Sequence, residues 1–112
     1  MAAVAEATKD NFQDLIAEGT VLVDVWGPQC VPCVALAPHV DQLAEERPDI
    51  SVIKLEAPKA RRVCIDLKVM TMPTFLLFRD GEEVARISDA NLSPDKLREW
   101  LGETLEAPKE VS

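Results

Sequence analysis

Apolar and polar positions along this chain switch between two periods, and the switches mark its elements. Phe12, Leu15 and Ile16 fall at helical spacing behind Thr8, a residue suited to capping a helix start, and Glu18-Gly19-Thr20 ends that segment. Val21-Leu22-Val23-Asp24-Val25-Trp26 is a β-branched apolar run with one acid inside it, which reads as a central strand. Gly27 and Pro28 break the strand. Leu36, Ala37, Val40, Leu43 and Ala44 then recur at three and four, a second helix in which Pro38 should produce a kink. Arg47-Pro48-Asp49 closes it, and Ile50 to Leu55 reads as a strand parallel to the first, joined by a right-handed crossover.

The second half is built differently. A short helix is expected around Ala60 to Leu67, after which Pro73 introduces the apolar run Thr74-Phe75-Leu76-Leu77-Phe78. Asp80-Gly81 is a hairpin signal, so Glu83 to Ile87 should return antiparallel. Ser93 and Pro94 open a last helix with Leu97, Trp100, Leu101 and Leu105 on its buried stripe. These elements predict an α/β fold, a mixed sheet with helices on both faces. The chain, residues 1–112, is expected to be one domain, with residues 1–7 a short first strand or extended start and residues 107–112 a loose tail.

Composition narrows the function. An apolar fraction of 47% is enough for a core, yet no run reaches the roughly 18 apolar residues of a membrane span. The N-terminal ten residues do not have the pattern of a secretory signal, so a cytoplasmic location is expected. A net charge of −8 disfavours nucleic acid, whose phosphates call for concentrated Lys and Arg. No membrane or nucleic-acid partner is expected, and the chain should be a monomer.

Three cysteines do not make a structural disulfide framework, but Cys30 and Cys33 stand three apart. That spacing serves metal binding or thiol redox chemistry. Zinc wants four ligands, and only Cys64 and His39 remain, at no finger-like spacing. Redox chemistry needs one thiol held as thiolate, and the unpaired amides at a helix N-terminus stabilise that charge. Cys30 stands where the second helix should begin and Cys33 one turn on. The exposed Cys30 should therefore attack, and the more buried Cys33 should resolve the mixed disulfide. Asp24, an acid within an apolar strand, should either carry a raised pKa, as a proton shuttle requires, or find a partner.

Several separated motifs, in order from about Thr8 to Leu105, resemble the thioredoxin family. They are Val-Asp-Val-Trp-Gly-Pro-Gln-Cys-Val-Pro-Cys with Pro38 five residues on, Thr71-Met72-Pro73-Thr74-Phe75, Lys54-Leu55, and Asp80-Gly81. The resemblance implies a thioredoxin fold and a protein-disulfide reductase with Cys30 as nucleophile and Cys33 as resolving thiol. It further implies Asp24 as the buried acid, Lys54 as its charged partner, and Pro73 as a cis-proline. Trp26 would lie beneath the active-site loop, with Met72 offering its backbone to an extended substrate. Gln29, Val31, Pro32, Thr71 and Ala90 complete the implied substrate surface. No cofactor is implied. The implied partners are a thioredoxin reductase of unspecified type and disulfide-bearing proteins.

Departures from the family pattern cluster around the cysteines. Gln29 replaces a tryptophan, Val31 a glycine, and Val34 a common lysine, all on the surface a partner would meet. Retained Asp24, Pro32, Lys54 and Pro73 weigh against an interaction subunit in which redox activity is incidental, and the shortage of further ligands weighs against a metal or iron–sulfur module. Cys64 reads as a buried apolar residue, His39 as a solvated one, and Lys59, Arg61 and Arg62 as a small basic spot in an acidic protein.

Overall fold

The computed structural model describes residues 4–106. Its elements run β1 (Ala5–Ala7), α1 (Phe12–Ile16), β2 (Thr20–Trp26), α2 (Val31–Glu46), β3 (Ser51–Glu56), a 3₁₀ turn (Ala57–Lys59), α3 (Arg61–Leu67), β4 (Thr74–Arg79), β5 (Glu82–Ser88) and α4 (Pro94–Glu106). The short first strand expected within residues 1–7 is β1. The expected loose tail, 107–112, lies outside the described residues.

Five strands form one sheet in the order β1-β3-β2-β4-β5. β1, β3 and β2 run parallel, while β4 and β5 run antiparallel to their neighbours, giving the mixed sheet expected from the sequence. The central strand β2 has both faces covered, so Val21 through Val25 are all buried. Alternation then divides the core. Val23 and Val25 pack with Phe12 and Ile16 of α1 and Cys64 of α3, whereas Leu22 packs with Leu36 and Val40 of α2 and Leu97 of α4. Trp100 and Leu105, expected on the buried stripe of α4, are only partly buried at its margin.

Local chemistry explains most boundaries. Thr8, expected to cap α1, caps the turn before it instead, and Asn11 holds the N-cap position. The Thr8 hydroxyl accepts the N–H groups of Asp10 and Asn11, Asn11 answers by accepting the Thr8 N–H, and α1 starts only at Phe12. At α4 the Ser93 hydroxyl accepts the Lys96 N–H at 3.1 Å, with Pro94 opening the helix. α3 ends without glycine, at Lys68 in the left-handed region (φ 59°). Arg86 of β5 braces this end by donating to the carbonyls of Leu67 and Lys68 while pairing with Glu83. α2 runs through Pro38 as one continuous helix.

The β4–β5 hairpin turns on Asp80 (φ 51°) and Gly81 (φ 87°), the two positive values a two-residue turn of matching twist demands. Asp80 also fastens the turn to the α1–β2 loop: its backbone N–H donates to the Gly19 carbonyl, and its carboxylate accepts the Gly19 N–H at 3.0 Å. At Gly81 an added Cβ would meet nothing closer than 3.6 Å, so backbone strain alone sets the cost of a side chain. Gly81→Ala should therefore lower stability by about 1–2 kcal/mol. Urea denaturation checks this, and a midpoint equal to that of the parent chain would contradict it.

Candidate active site

The site is built at the N-terminal end of α2. Gly27 and Pro28 end β2, and the Cys30 N–H turns back to the Gly27 carbonyl at 3.1 Å. Cys30 is the N-cap, extended (φ −89°, ψ 102°), and its sulfur accepts the Cys33 N–H at 3.2 Å, the place a serine oxygen takes in other helices. Pro32 falls in the first turn, where a missing N–H costs nothing. Cys30 and Cys33 are joined by a disulfide, with Cα atoms 5.2 Å apart. Cys30 is partly exposed and Cys33 is buried at 3% exposure, the asymmetry expected from the sequence. Val31 and Val34 stand exposed beside them, at 78% and 50%.

Strand alternation places Asp24 on the same sheet face as Leu22, the face that α2 covers. Cys33 lies one turn before Leu36 on the sheet-facing stripe of α2. The strand acid and the buried cysteine thus share one interface. Asp24 is 2% exposed. Burial pushes its carboxyl up to about 7, the Lys54 ammonium pulls it partly back, and the charge of Asp41 on α2 adds to the rise.

Lys54, which the resemblance implied as the charged partner of Asp24, is its register partner across β2 and β3, yet no ion pair joins them among the described residues. Its ammonium lies over the Trp26 ring instead, 4.9 Å from the centroid. Trp26 is half-buried and, with Lys54, Thr8, Lys9, Glu56 and Lys59, lines a depression of about 270 Å³.

Met72–Pro73 is a cis peptide bond, as the resemblance implied, and Pro73 is buried. The Met72 side chain reaches the active-site loop: a Cβ built on Gly27 would sit 3.3 Å from the Met72 methyl and 3.6 Å from Pro58. Hydroxyls hold the other side of this segment. Ser88 of β5 bonds Thr71 at 2.6 Å and Thr74 at 2.9 Å, and Thr74 donates to the Thr71 carbonyl. Gln29, Thr71 and Ala90 are exposed, Ala90 two residues beyond Ser88.

Met72's grip on Gly27, the roles of Ser88 and Arg86, and the influence of Asp41 were missed in the sequence. Asp41 alone left a signal, eight residues after Cys33 on one helix. Cys64 is buried as expected, and burial pushes its thiol up, away from reactivity. His39, expected to be solvated, is half-buried on α2 beside the fully buried Val40. No helix is long and apolar enough to cross a membrane, among the described residues.

Comparison with known proteins gives one consistent answer. The thioredoxin family model matches residues 3–103. The thioredoxin of Chlamydia muridarum is 42% identical over 79 residues, covering 70% of this chain and 78% of the relative. Thioredoxin C-3 of Corynebacterium nephridii is 34% identical over 103 residues, covering 90% and 70%. In three dimensions, spinach chloroplast thioredoxin f superposes with a TM-score of 0.84 at 28% identity, covering 94% of this chain and 96% of that one.

The buried acid has a measurable consequence. Folded, Asp24 keeps its proton up to about pH 7; unfolded, it releases it near 3.8. Folding therefore takes up a proton between these values, and stability should fall as pH rises from about 4 to 7. Asp24→Asn removes that slope. The variant's stability relative to the parent should improve by on the order of 4 kcal/mol between pH 4 and pH 8, read by denaturant unfolding at both. A difference that does not change with pH would contradict the assignment.

Proposed function

Since this chain belongs to the thioredoxin family and is a thiol–disulfide oxidoreductase, we propose how its residues divide the reduction of a protein disulfide. The carrying observation is the Cys30–Cys33 disulfide at the start of α2, on the sheet face that buries Asp24. In the reduced protein the Cys30 thiolate, held by the first-turn amides, attacks one sulfur of a substrate disulfide. A Cys30–substrate mixed disulfide forms, and the other substrate sulfur leaves as a thiolate that takes up a proton.

Cys33 then loses its proton to Asp24 and attacks the Cys30 sulfur. The second substrate thiolate departs, and both electrons have passed from the dithiol to the substrate. Burial supports this role for Asp24, because a carboxyl near pH 7 can accept a proton and return it in the next cycle. Lys54, in register beside it and over Trp26, tempers the rise in its pKa and so positions the shuttle electrostatically.

The Met72 backbone beside Pro73 takes up the substrate as an added strand, with Thr71, Trp26, Gln29, Val31, Pro32 and Ala90 around it. Thioredoxin-type proteins work with a reductase and with disulfide substrates. For this chain a thioredoxin reductase, pyridine-nucleotide-linked or ferredoxin-linked, restores the dithiol. The two sulfurs carry both electrons, so the step asks for no bound cofactor. We read the whole chain as one cytoplasmic, monomeric domain.

Insulin reduction by dithiothreitol, followed as turbidity, tests the core of this reading. Cys30→Ser should abolish the acceleration, and unchanged activity in that variant would sink it. A second outcome concerns the loop. Restoring Trp, Gly and Lys at Gln29, Val31 and Val34 should change rates with a panel of reductases and substrates more than it changes the redox potential. Equal rates with every partner would count against a role for these positions in partner choice.

A further inference from the structure

Charge and apolar exposure coincide around α3, and the chemistry of the active site does not use them. The chain has 20 acids and 12 bases. Between residues 59 and 68 that balance reverses: Lys59, Arg61, Arg62 and Lys68 face only Asp66. Local folding does not account for the reversal, since cations in the first turn of a helix work against its dipole. Neither do ion pairs. Arg62 reaches Asp66 only at 3.9 Å with both side chains open to solvent, Lys59 reaches Glu56 at 3.7 Å, and Arg61 and Lys68 are in no ion pair among the described residues. Exposed pairs of this kind hold little energy and leave the cations available to a partner.

The same segment borders an apolar depression that leads to the active-site loop. Ala57, Pro58, Arg61, Cys64, Ile65 and Met72 line a hollow of about 360 Å³. A second hollow of about 210 Å³ shares Ala57, Cys64 and Met72 and continues along Val69, Met70 and Thr71. Ile65 is 67% exposed and Met70 91%, so two large apolar side chains stand open on the rims of these adjoining hollows. Met72 joins the hollows to the redox site, because its methyl lies against Gly27 ahead of Cys30.

We propose that this face selects disulfide partners whose cysteine is flanked by an apolar side chain and acidic residues, the apolar group seated between Ile65, Met70 and Met72 and the carboxylates facing Arg61, Arg62 and Lys68. The occupant is an extended polypeptide segment of the partner, and the selection rests on the proposed pairing of such a segment with the Met72 backbone. Charge complementarity argues for this occupant. An acidic protein repels acidic partners at long range, so a basic segment beside the reacting sulfurs gives them a favourable approach only in the productive orientation. A basic partner would be drawn to the acidic remainder of the surface, away from Cys30.

Three disulfide-linked peptides of equal length, each with one leucine beside the cysteine and flanked by glutamates, serines or lysines, test the proposal alongside neutral 2-hydroxyethyl disulfide. At low ionic strength kcat/KM for the glutamate peptide should exceed that for the lysine peptide by about tenfold, and the gap should close as salt is added. The double variant Arg61→Glu/Arg62→Glu should reverse the order while reducing 2-hydroxyethyl disulfide at the parent rate. Arg61→Lys/Arg62→Lys should keep the preference. Ile65→Ser/Met70→Ser should lower the rate for all three peptides and spare the small disulfide. A glutamate-to-lysine ratio near one, or one unmoved by charge reversal, would overturn the proposal. The serine peptide separates that failure from failure of the underlying strand pairing: no advantage over 2-hydroxyethyl disulfide would mean that no extended segment docks at all.

Discussion

Burial of one carboxyl group is the constraint around which this site is organised. β2 lies between β3 and β4 and beneath helices on both faces, so a residue in its middle has no route to full hydration. An acid placed there is pushed toward its protonated form or finds a partner, and burial pushes Asp24 up to about 7. Lys54 is near enough to moderate the charge and too far to quench it by direct pairing, being drawn over the Trp26 ring. A closer ion pair would pull the carboxyl back toward an ordinary acid and remove its use as a proton acceptor near neutrality. Strand register sets Lys54 beside Asp24, and the Trp26 ring holds its ammonium.

The remaining parts of the site are held against this fixed centre by contacts that cross the chain. Met72 and Pro58 both close on Gly27, and Met72 thereby ties the loop before Pro73 to the loop before Cys30. From the opposite side β5 works as a splint: Arg86 holds the end of α3, and Ser88 holds Thr71 and Thr74. The segment from Lys68 to Thr74 is thus anchored at both ends while its middle, Met70, stays exposed. That combination suits a surface required to meet another polypeptide with little rearrangement.

Legibility in the sequence followed the range of the interactions. Helix and strand spans, the hairpin at Asp80-Gly81 and the cap at Ser93 came from local patterns and match the structure closely. Thr8 misled by a few residues because its reciprocal bonds with Asn11 stabilise a turn as readily as a helix start. Asp24 was legible because an acid in an apolar run is itself the signal. The cis state at Pro73 followed from resemblance to a family, since only about 5–6% of X-Pro bonds are cis and no local residue announces it. Contacts such as Lys54 over Trp26, or Ser88 with Thr71, depend on register between strands far apart in sequence. Their residue types alone do not reveal them.

The fold separates the buried residues of the site from its exposed ones. Cys33, Asp24 and Pro73 are buried, where each substitution is constrained by packing and by the cost of misplacing charge. Gln29, Val31 and Val34, where the chain departs from its family, are all exposed, as are Ile65 of α3 and Met70 beyond its end. An exchange among exposed neutral residues alters encounter with other molecules without adding to the charges that set Asp24 near neutrality, which are those of Lys54 and Asp41. The protein can thus keep a reaction common to its family while presenting a rim of its own. Exchange of its surface residues should move rates among partners, and exchange of its buried acid should move the pH at which the reaction proceeds.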